Sequence, residues 1–294
     1  MPTTERRVRG GSGRNVRRRK RWVGRIVLPV IIVMVGVAGF YAYTSFKANF
    51  GEPSCRATAL GRSVTFTPEQ SANAATITAL ALKRGLPARA ATIANATAIV
   101  ESKLRNLRFG DLDSLGLFQQ RPSQGWGTAA QILDPVHATN AFYDALTKIS
   151  GYQSMAITQV AQRVQHSAFP QAYADHEQEG RILASTLAGH SPGGIGCRLD
   201  AATTSTPAAT IAANLTAELG VPASVQGRSV QVSASDSQHA WAAGSWAVTH
   251  AEANGITAVT VGDRQWTRVR GEDGWSWHAA TNPIGPNSVT IARR

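Results

Sequence analysis

The most informative stretch of the sequence begins with Glu101-Ser102 and continues twelve residues later with Ser114-Leu115-Gly116-Leu117-Phe118-Gln119-Gln120-Arg121-Pro122. A helix is predicted to start near Pro87, and steps of four, four and three put Glu101 at the end of its small-residue face, formed by Ala90, Ala94 and Ala98. Cleaving a glycosidic bond requires an acid that protonates the leaving oxygen, and apolar surroundings let a carboxyl group keep its proton near neutral pH. The pattern therefore makes Glu101 a candidate general acid.

The order Glu-Ser followed by Ser-x-Gly-Leu-x-Gln resembles the first two motifs of the lysozyme-like lytic transglycosylases, which cleave peptidoglycan, and the resemblance covers roughly residues 68–187. It implies that Glu101 acts as general acid and then as base, and that Ser114 is a polar supporter near the reaction centre. It also implies that Gln119 contacts the saccharide. Gly116 would let the backbone turn closely.

The third motif of that family, Ala-Tyr-Asn-Ala-Gly, has no faithful copy in this protein. The nearest segment is residues 172–177, where Tyr173 is either a saccharide-binding aromatic residue or a core residue. A transglycosylase needs one carboxylate, whereas a hydrolase needs a second one at a defined separation. Asp111 and Asp113 are the candidates for that second group, with turn formation beside Gly110 as the alternative role.

The net charge of +12 is concentrated at the N-terminus, because residues 1–25 hold ten of the 30 basic residues and one of the 18 acidic residues. No basic, aromatic-interleaved surface recurs later, which argues against nucleic acid as a partner. Residues 26–46 carry no charge, and the length of this run predicts a transmembrane helix, with lipid contacts through residues 22–46. The basic tail predicts a single-pass cell-membrane protein with a cytoplasmic N-terminus and extracytoplasmic domains; a cleaved signal peptide is the alternative.

Two cysteines, Cys55 and Cys197, bracket one long stretch of the sequence. An even count in an extracytoplasmic setting predicts a disulfide, and two unpaired buried thiols are the alternative. Neither cysteine has a second Cys or a His at ligand spacing, so the sequence predicts no metal site, and it implies no cofactor.

The predicted fold class is an N-terminal transmembrane helix, a mainly α lysozyme-like domain and a small C-terminal α+β domain. The predicted boundaries are a cytoplasmic tail at 1–25, the transmembrane helix at 26–46, the disulfide-bracketed lysozyme-like domain at 47–198, a linker and helix at 199–220, and the accessory domain at 221–294. The accessory domain holds five of the seven tryptophans, and it resembles small domains found beside cell-wall hydrolases. Trp241 and Trp246 are predicted to lie on a helix that packs on a sheet, which favours core packing over sugar binding.

The sequence thus predicts a membrane-anchored enzyme, a lytic transglycosylase or muramidase, that cleaves peptidoglycan glycan strands with Glu101 as its single acid/base. The first alternative is a non-catalytic peptidoglycan-binding or scaffold protein with partners in a cell-envelope complex. A transport accessory protein is a further alternative, against which the lack of a ligand cluster argues.

Overall fold

The computed structural model describes residues 33–41, 43, 51–165, 171–203 and 205–294. Contacts divide the protein into two compact units, residues 1–51 and residues 52–294. The predicted fold class is wrong, because the described residues form a mixed α/β structure with two antiparallel sheets of three and six strands. The predicted division near residues 199–220 stays a prediction, and residues 52–294 are described below as one unit.

In the first unit, residues 33–41 form helix α1, and their side chains are exposed. Across the described stretches of the protein, no helix combines the length and the apolar character needed to cross a membrane. The predicted single-pass topology is corrected on this finding. The predicted tail and most of the predicted span 26–46 lie outside the described residues, as does Trp22.

The described part of the second unit contains ten further helices. They are α2 (Pro68–Lys83), α3 (Ala88–Ser102), α4 (Ala129–Ile132), α5 (Pro135–Thr147), α6 (Ile157–Gln165), α7 (Ala172–Asp175), α8 (Glu177–Leu187), α9 (Ala208–Leu219), α10 (Ser237–Thr249) and α11 (Ala251–Asn254). Several of these helices begin at side-chain caps. Thr67 forms a capping box with Gln70 at the start of α2, and the side chains of Asp134 and Asp236 accept backbone N–H groups at the starts of α5 and α10. Pro170 and the spacing of Tyr173, Leu183 and Leu187 predict a single helix, but two helices meet at His176, and Pro170 lies outside the described residues.

The smaller sheet has the order β2-β1-β3, formed by β1 (Ser54–Ala59), β2 (Arg62–Phe66) and β3 (Ile195–Arg198). Cys55 faces Cys197 in the antiparallel β1–β3 pair, and the two are joined by a disulfide with a Cα–Cα distance of 3.9 Å. The predicted disulfide is confirmed. This sheet is the reason why the prediction of a mainly α domain fails, since its strands come from the two sequence ends of that region and enclose the helices between them.

The larger sheet has the order β4-β5-β9-β6-β7-β8, and all of its paired strands are antiparallel. Its strands are β4 (Ala223–Gln226), β5 (Ser229–Ser233), β6 (Ile256–Val261), β7 (Arg264–Thr267), β8 (His278–Ala279) and β9 (Ser288–Arg293). Trp241 and Trp246 of α10 are buried, as predicted. The Asp273-Gly274 pair predicts a turn between strands marked by Trp266 and by Trp275 and Trp277. Trp266 lies in β7, but Trp275 ends a short 3₁₀ helix (Glu272–Trp275) and Trp277 precedes β8, so this prediction is wrong in part.

Three indole N–H groups bind the two sheets together, and we call Trp266, Trp275 and Trp277 the tryptophan clasp. Each donates to a backbone oxygen of the smaller sheet: Trp266 to Cys197 O (3.2 Å), Trp275 to Ser54 O (3.0 Å) and Trp277 to Ile195 O (2.8 Å). Trp266 is fully buried, and its indole nitrogen also lies 2.7 Å from Gly274 O. The C-terminal region is therefore fastened directly to the strands that carry the disulfide.

The clasp depends on a close approach of two backbones. A Cβ atom on Gly196 would lie 2.4 Å from the carbonyl carbon and the carbonyl oxygen of Trp275, and one on Gly274 would lie 2.7 Å from Arg198 Cα. Only glycine fits at such distances. The two glycines thus permit the backbones of β3 and the 3₁₀ helix to touch.

Candidate functional site

Glu101 lies in the last turn of α3 and is half-buried. Most of α3 is enclosed by protein, and the predicted small-residue face is fully buried at Ala90, Ala94 and Ala98. Gly180 of α8 lies so close that a Cβ atom there would be 2.6 Å from Thr92 O. A helix that is apolar on all sides is a core helix. Glu101 therefore stands where a core helix reaches the surface.

The backbone turns sharply directly after Glu101. Lys103 and Leu104 both adopt left-handed conformations, with φ of 54° and 58°, which non-glycine residues seldom do. Side chains of α2 hold this turn, since Gln70 Nε2 donates to Lys103 O (2.7 Å) and Asn73 Nδ2 donates to Leu104 O (2.8 Å). They satisfy carbonyl groups at and just beyond the helix end, so the segment that carries Glu101 is fixed from both sides.

Tyr173 reaches Glu101 from the short helix α7. Its hydroxyl group donates to Glu101 Oε1 at 2.6 Å, and its ring is fully buried. A hydroxyl group that donates to a carboxylate makes one of the stronger hydrogen bonds of a protein. The structure thus brings together two of the residues singled out in the sequence, and Tyr173 is both a core residue and a partner of Glu101.

Ser102 connects the end of α3 to the second motif. Its hydroxyl group is buried and lies 2.7 Å from Leu117 O and 3.1 Å from Ala98 O, two acceptors for its one proton. Leu117 belongs to a small hairpin, in which Leu115 and Gln120 exchange both backbone hydrogen bonds. Glu101 and the Ser114–Gln120 segment therefore adjoin through the serine of the Glu-Ser pair, a positioning role that sequence reasoning missed.

The geometry of the hairpin explains its glycine. Gly116 has φ of +75°, and a Cβ atom there would lie 2.6 Å from Ile132 O. Gln119 also has a left-handed conformation, with φ of 47°. Its Nε2 atom donates to Gly116 O (3.2 Å), and its Oε1 atom occupies the space that a Cβ atom on Gly110 would need. Ser114 is buried, and its backbone N–H donates to Asp111 O. Saccharide contact by Gln119 and Ser114 stays a prediction.

The two loop aspartates have different surroundings. Asp113 Oδ1 accepts from Arg121 Nε (2.6 Å) and from Ser123 Oγ (3.0 Å), and Asp113 Oδ2 accepts from the Ser123 N–H (2.8 Å). The hydrogen bond from Arg121, followed by that from the Ser123 N–H, holds the pKa of Asp113 well below its usual range. Asp111 is exposed. The contacts of Asp113 favour turn formation, and a second catalytic carboxylate stays a prediction.

An exposed apolar pair lies in the loop between Glu101 and Ser114. Phe109 is 73% exposed and Leu112 is 74% exposed, and Leu112 has a left-handed conformation with φ of 54°. Sequence analysis passed over both residues. The sequence signal for an exposed apolar pair was the presence of an aromatic and an aliphatic residue in a segment otherwise rich in Gly, Asp and Arg.

An ion network lies at the start of α8, close in sequence to Tyr173. Glu177 Oε1 accepts from Arg89 Nη1 of α3 (2.5 Å) and from Arg181 Nη2 (3.1 Å). Burial raises the pKa of Glu177, but the hydrogen bonds and charges of Arg89 and Arg181 outweigh it, so that the pKa is lowered. His176 binds Glu179 through Nδ1. These contacts connect α3 to α8 and give His176 and Glu177 a structural role.

Within the part of the protein that the structure describes, no group of three or more His, Cys, Asp or Glu residues could hold a metal ion. No protein-family model matches this sequence, and no curated protein matches it either. The chemistry of the residues around Glu101 is therefore the basis for a functional proposal. The arrangement around Glu101 consists of one half-buried carboxyl group with one oxygen bound by a buried phenol, beside a polar hairpin.

Proposed function

We propose that this protein cleaves the glycan strand of peptidoglycan, with Glu101 as general acid and then general base. The observation that carries the proposal is the hydrogen bond from Tyr173 to Glu101 Oε1. It restrains the position of the carboxyl group, which we assign as the group that exchanges a proton with the substrate. A general acid must be held in such a fixed position to reach the bond that it protonates.

In the first step, the proton of the Glu101 carboxyl group moves to the glycosidic oxygen as the bond from that oxygen to the anomeric carbon breaks. The sugar then carries positive charge at the anomeric carbon, which the carboxylate of Glu101 stabilises. In the second step, a hydroxyl group of the same sugar attacks the anomeric carbon and Glu101 takes up its proton. The enzyme returns to its starting state, and the product ends in an anhydro sugar.

The surroundings of Asp113 support this single-carboxylate chemistry over hydrolysis. Its two oxygens bind Arg121 and Ser123, so its carboxylate is already engaged in holding the turn. A hydrolase needs a second carboxylate that is available to activate water or attack the sugar. Asp111 is the remaining candidate from the sequence, and the products of digestion distinguish the two reactions.

The test is digestion of purified peptidoglycan by the full-length protein and by Glu101→Gln, followed by mass spectrometry of the products. Gln keeps the shape and loses the proton, so we expect cleavage to fall by about 100-fold or more. Glu69→Gln, which removes an exposed carboxylate from the first turn of α2, is the matched control and should keep its activity.

Anhydro products from the unaltered protein support the transglycosylase proposal. Reducing-end products with loss of activity in Asp111→Asn would instead indicate a hydrolase. Full activity of Glu101→Gln would overturn the assignment of the site. No cleavage of several peptidoglycans by the unaltered protein would favour a glycan-binding scaffold.

A further inference from the structure

A second recess lies in the C-terminal region and contains none of the residues of the Glu101 site. It has a volume of about 410 Å³ and is bordered by the Gly193 turn, Trp241 of α10, Arg264 of β7 and the Trp275-Ser276-Trp277 segment. We call it the tryptophan recess. Its size falls within the range of small-molecule binding pockets, and the combination of aromatic walls with a few polar groups is typical of them.

The aromatic walls of the recess are held in fixed orientations. The indole N–H groups of Trp275 and Trp277 donate to Ser54 O and Ile195 O, so they are not available to a ligand. The rings of Trp241 and Trp277 meet edge to face, with centroids 5.0 Å apart and an interplanar angle of 67°. The aromatic walls of the recess are therefore ordered before a ligand binds, which lowers the entropy cost of binding.

The polar groups of the recess are a cation and a hydroxyl group. Arg264 and Ser276 are exposed, and no carboxylate of the described residues lines this recess. Among the described residues, the Arg264 guanidinium group has no hydrogen bond or ion pair. Two further guanidinium groups lie over the Trp275 ring, that of Arg56 at 3.6 Å from its centroid and that of Arg198 at 4.6 Å. Arg264 is therefore the charged residue that lines the recess, and an anionic group can pair with it in a bidentate manner.

The angle between the Trp241 and Trp277 rings bears on which kind of anionic ligand fits the recess. A planar nucleobase is bound best between parallel aromatic faces, whereas Trp241 and Trp277 are nearly perpendicular. A pyranose ring needs only one aromatic face for its C–H groups, and its hydroxyl groups need donors and acceptors such as Ser276. A neighbouring recess of about 290 Å³ is also bordered by Trp241 and includes Asp263.

We propose that the tryptophan recess binds a carboxylate-bearing saccharide, with sugar rings on the indoles and the carboxylate on Arg264. The proposal does not depend on cleavage at Glu101. It is tested in the full-length Glu101→Gln protein, so that binding is measured without turnover and its failure is distinct from the failure of the proposed enzyme activity.

The probe is the disaccharide N-acetylglucosaminyl-N-acetylmuramic acid, which carries a free carboxylate, and its neutral counterpart is di-N-acetylchitobiose. Calorimetry measures the affinity for both. Arg264→Ala should weaken binding of the acidic disaccharide by about tenfold and remove the preference over the neutral one, because it removes a charged hydrogen-bond partner. Ser276→Leu should abolish the component of binding that prefers the acidic disaccharide, since it fills the recess from an exposed position and leaves the Glu101 site unchanged. Arg228→Ala and Ser224→Leu, exposed substitutions outside the recess, should bind within about twofold of the parent protein.

A second measurement locates the site. The indole N–H signal of Trp241 should shift with the acidic disaccharide in nuclear magnetic resonance spectra, whereas that of Trp246 should not, since Trp246 is buried and donates to Glu218 Oε2. Equal affinity for the acidic and neutral disaccharides would overturn the proposal. So would undiminished binding by Ser276→Leu, or tighter binding of adenosine monophosphate than of the acidic disaccharide.

Discussion

The Glu101 site and the tryptophan clasp are held in place by different kinds of contact. At the Glu101 site, side chains hold a backbone that turns through left-handed conformations, as Gln70 and Asn73 do for Lys103 and Leu104. At the clasp, the two backbones touch, and large buried rings close over them. The first arrangement leaves one carboxyl group half-buried and accessible. The second makes an interface with little room for adjustment, so it should carry more of the stability.

The sharpest way to test this contrast is to remove the disulfide beneath the clasp. Cys55 and Cys197 are 142 residues apart in sequence, and a loop of that order strongly constrains the unfolded state. The double variant Cys55→Ser, Cys197→Ser should lose about 5 kcal/mol of unfolding free energy in the chain-entropy model, measured by urea denaturation. Reduction of the unaltered protein should reproduce the loss, and a loss of a few tenths of a kcal/mol would show that the noncovalent clasp holds the sheet by itself.

The next largest effect is expected from Gly196→Ala. Its Cβ atom would lie 2.4 Å from the backbone of Trp275, which cannot move aside as a side chain does. We expect a loss of about 3 kcal/mol, at the upper end of the cost of overpacking. Gly271→Ala is the control, because a Cβ atom there would meet nothing within 4 Å. Equal stability of the two variants in urea denaturation would contradict the close-contact account of the clasp.

The clasp also shows what the sequence does not reveal. Strand β3 follows Ser-Pro-Gly-Gly and contains Gly196, so local signals predict a loop, while β1 alternates small residues such as Ala57 and Ala59 instead of β-branched ones. Strand β3 pairs with β1, a partner more than a hundred residues away, whereas β1 also forms a local hairpin with β2. By contrast, local signals in the sequence suffice to predict α9 and β6. Glycine stops and hydrophobic runs act over a few residues, so they do not depend on distant partners.

The Glu101 site was predictable in a similar, partial way. The motif pattern identified Glu101 and the hairpin, and the aromatic residue of an imperfect third motif identified Tyr173, which proved to bind Glu101. The role of Ser102 was not predictable, because its acceptor Leu117 O is a backbone atom that carries no sequence signal. The role of Asp113 in holding the turn was not predictable either, because its contact with the Ser123 N–H depends on the shape of the turn.

On the site side of the comparison, Ser102→Ala tests whether the hairpin is held by one side chain. The substitution removes a buried donor to Leu117 O, and an unsatisfied buried carbonyl costs about 1 to 2 kcal/mol. We expect that loss in urea denaturation, together with a fall in glycan cleavage larger than stability alone explains. Ser154→Ala is the matched control, because the Ser154 hydroxyl donates to Gly151 O in an exposed setting. Unchanged cleavage by Ser102→Ala would show that the hairpin is positioned by its other contacts.

The smallest expected change in stability concerns the ion network between α3 and α8. This network lies close in sequence to Tyr173, and like the clasp it joins segments that are distant in sequence. The pKa of Glu177 is lowered by Arg89 and Arg181 in spite of its burial. A carboxyl group with a lowered folded-state pKa stabilises the fold fully above its unfolded value of 4.5, and that contribution is lost as the pH falls through the lower folded-state value. Glu177→Gln should therefore cost up to about 1 kcal/mol at pH 7, a figure kept small because the pair is partly exposed, and less than that at about pH 3, below the unfolded-state pKa. Urea denaturation at the two pH values, with Glu69→Gln as an exposed control, measures the difference. If the cost of Glu177→Gln is the same at both pH values, the network stabilises the fold through packing of the Glu177 stem, and its charge contributes nothing to joining α3 and α8.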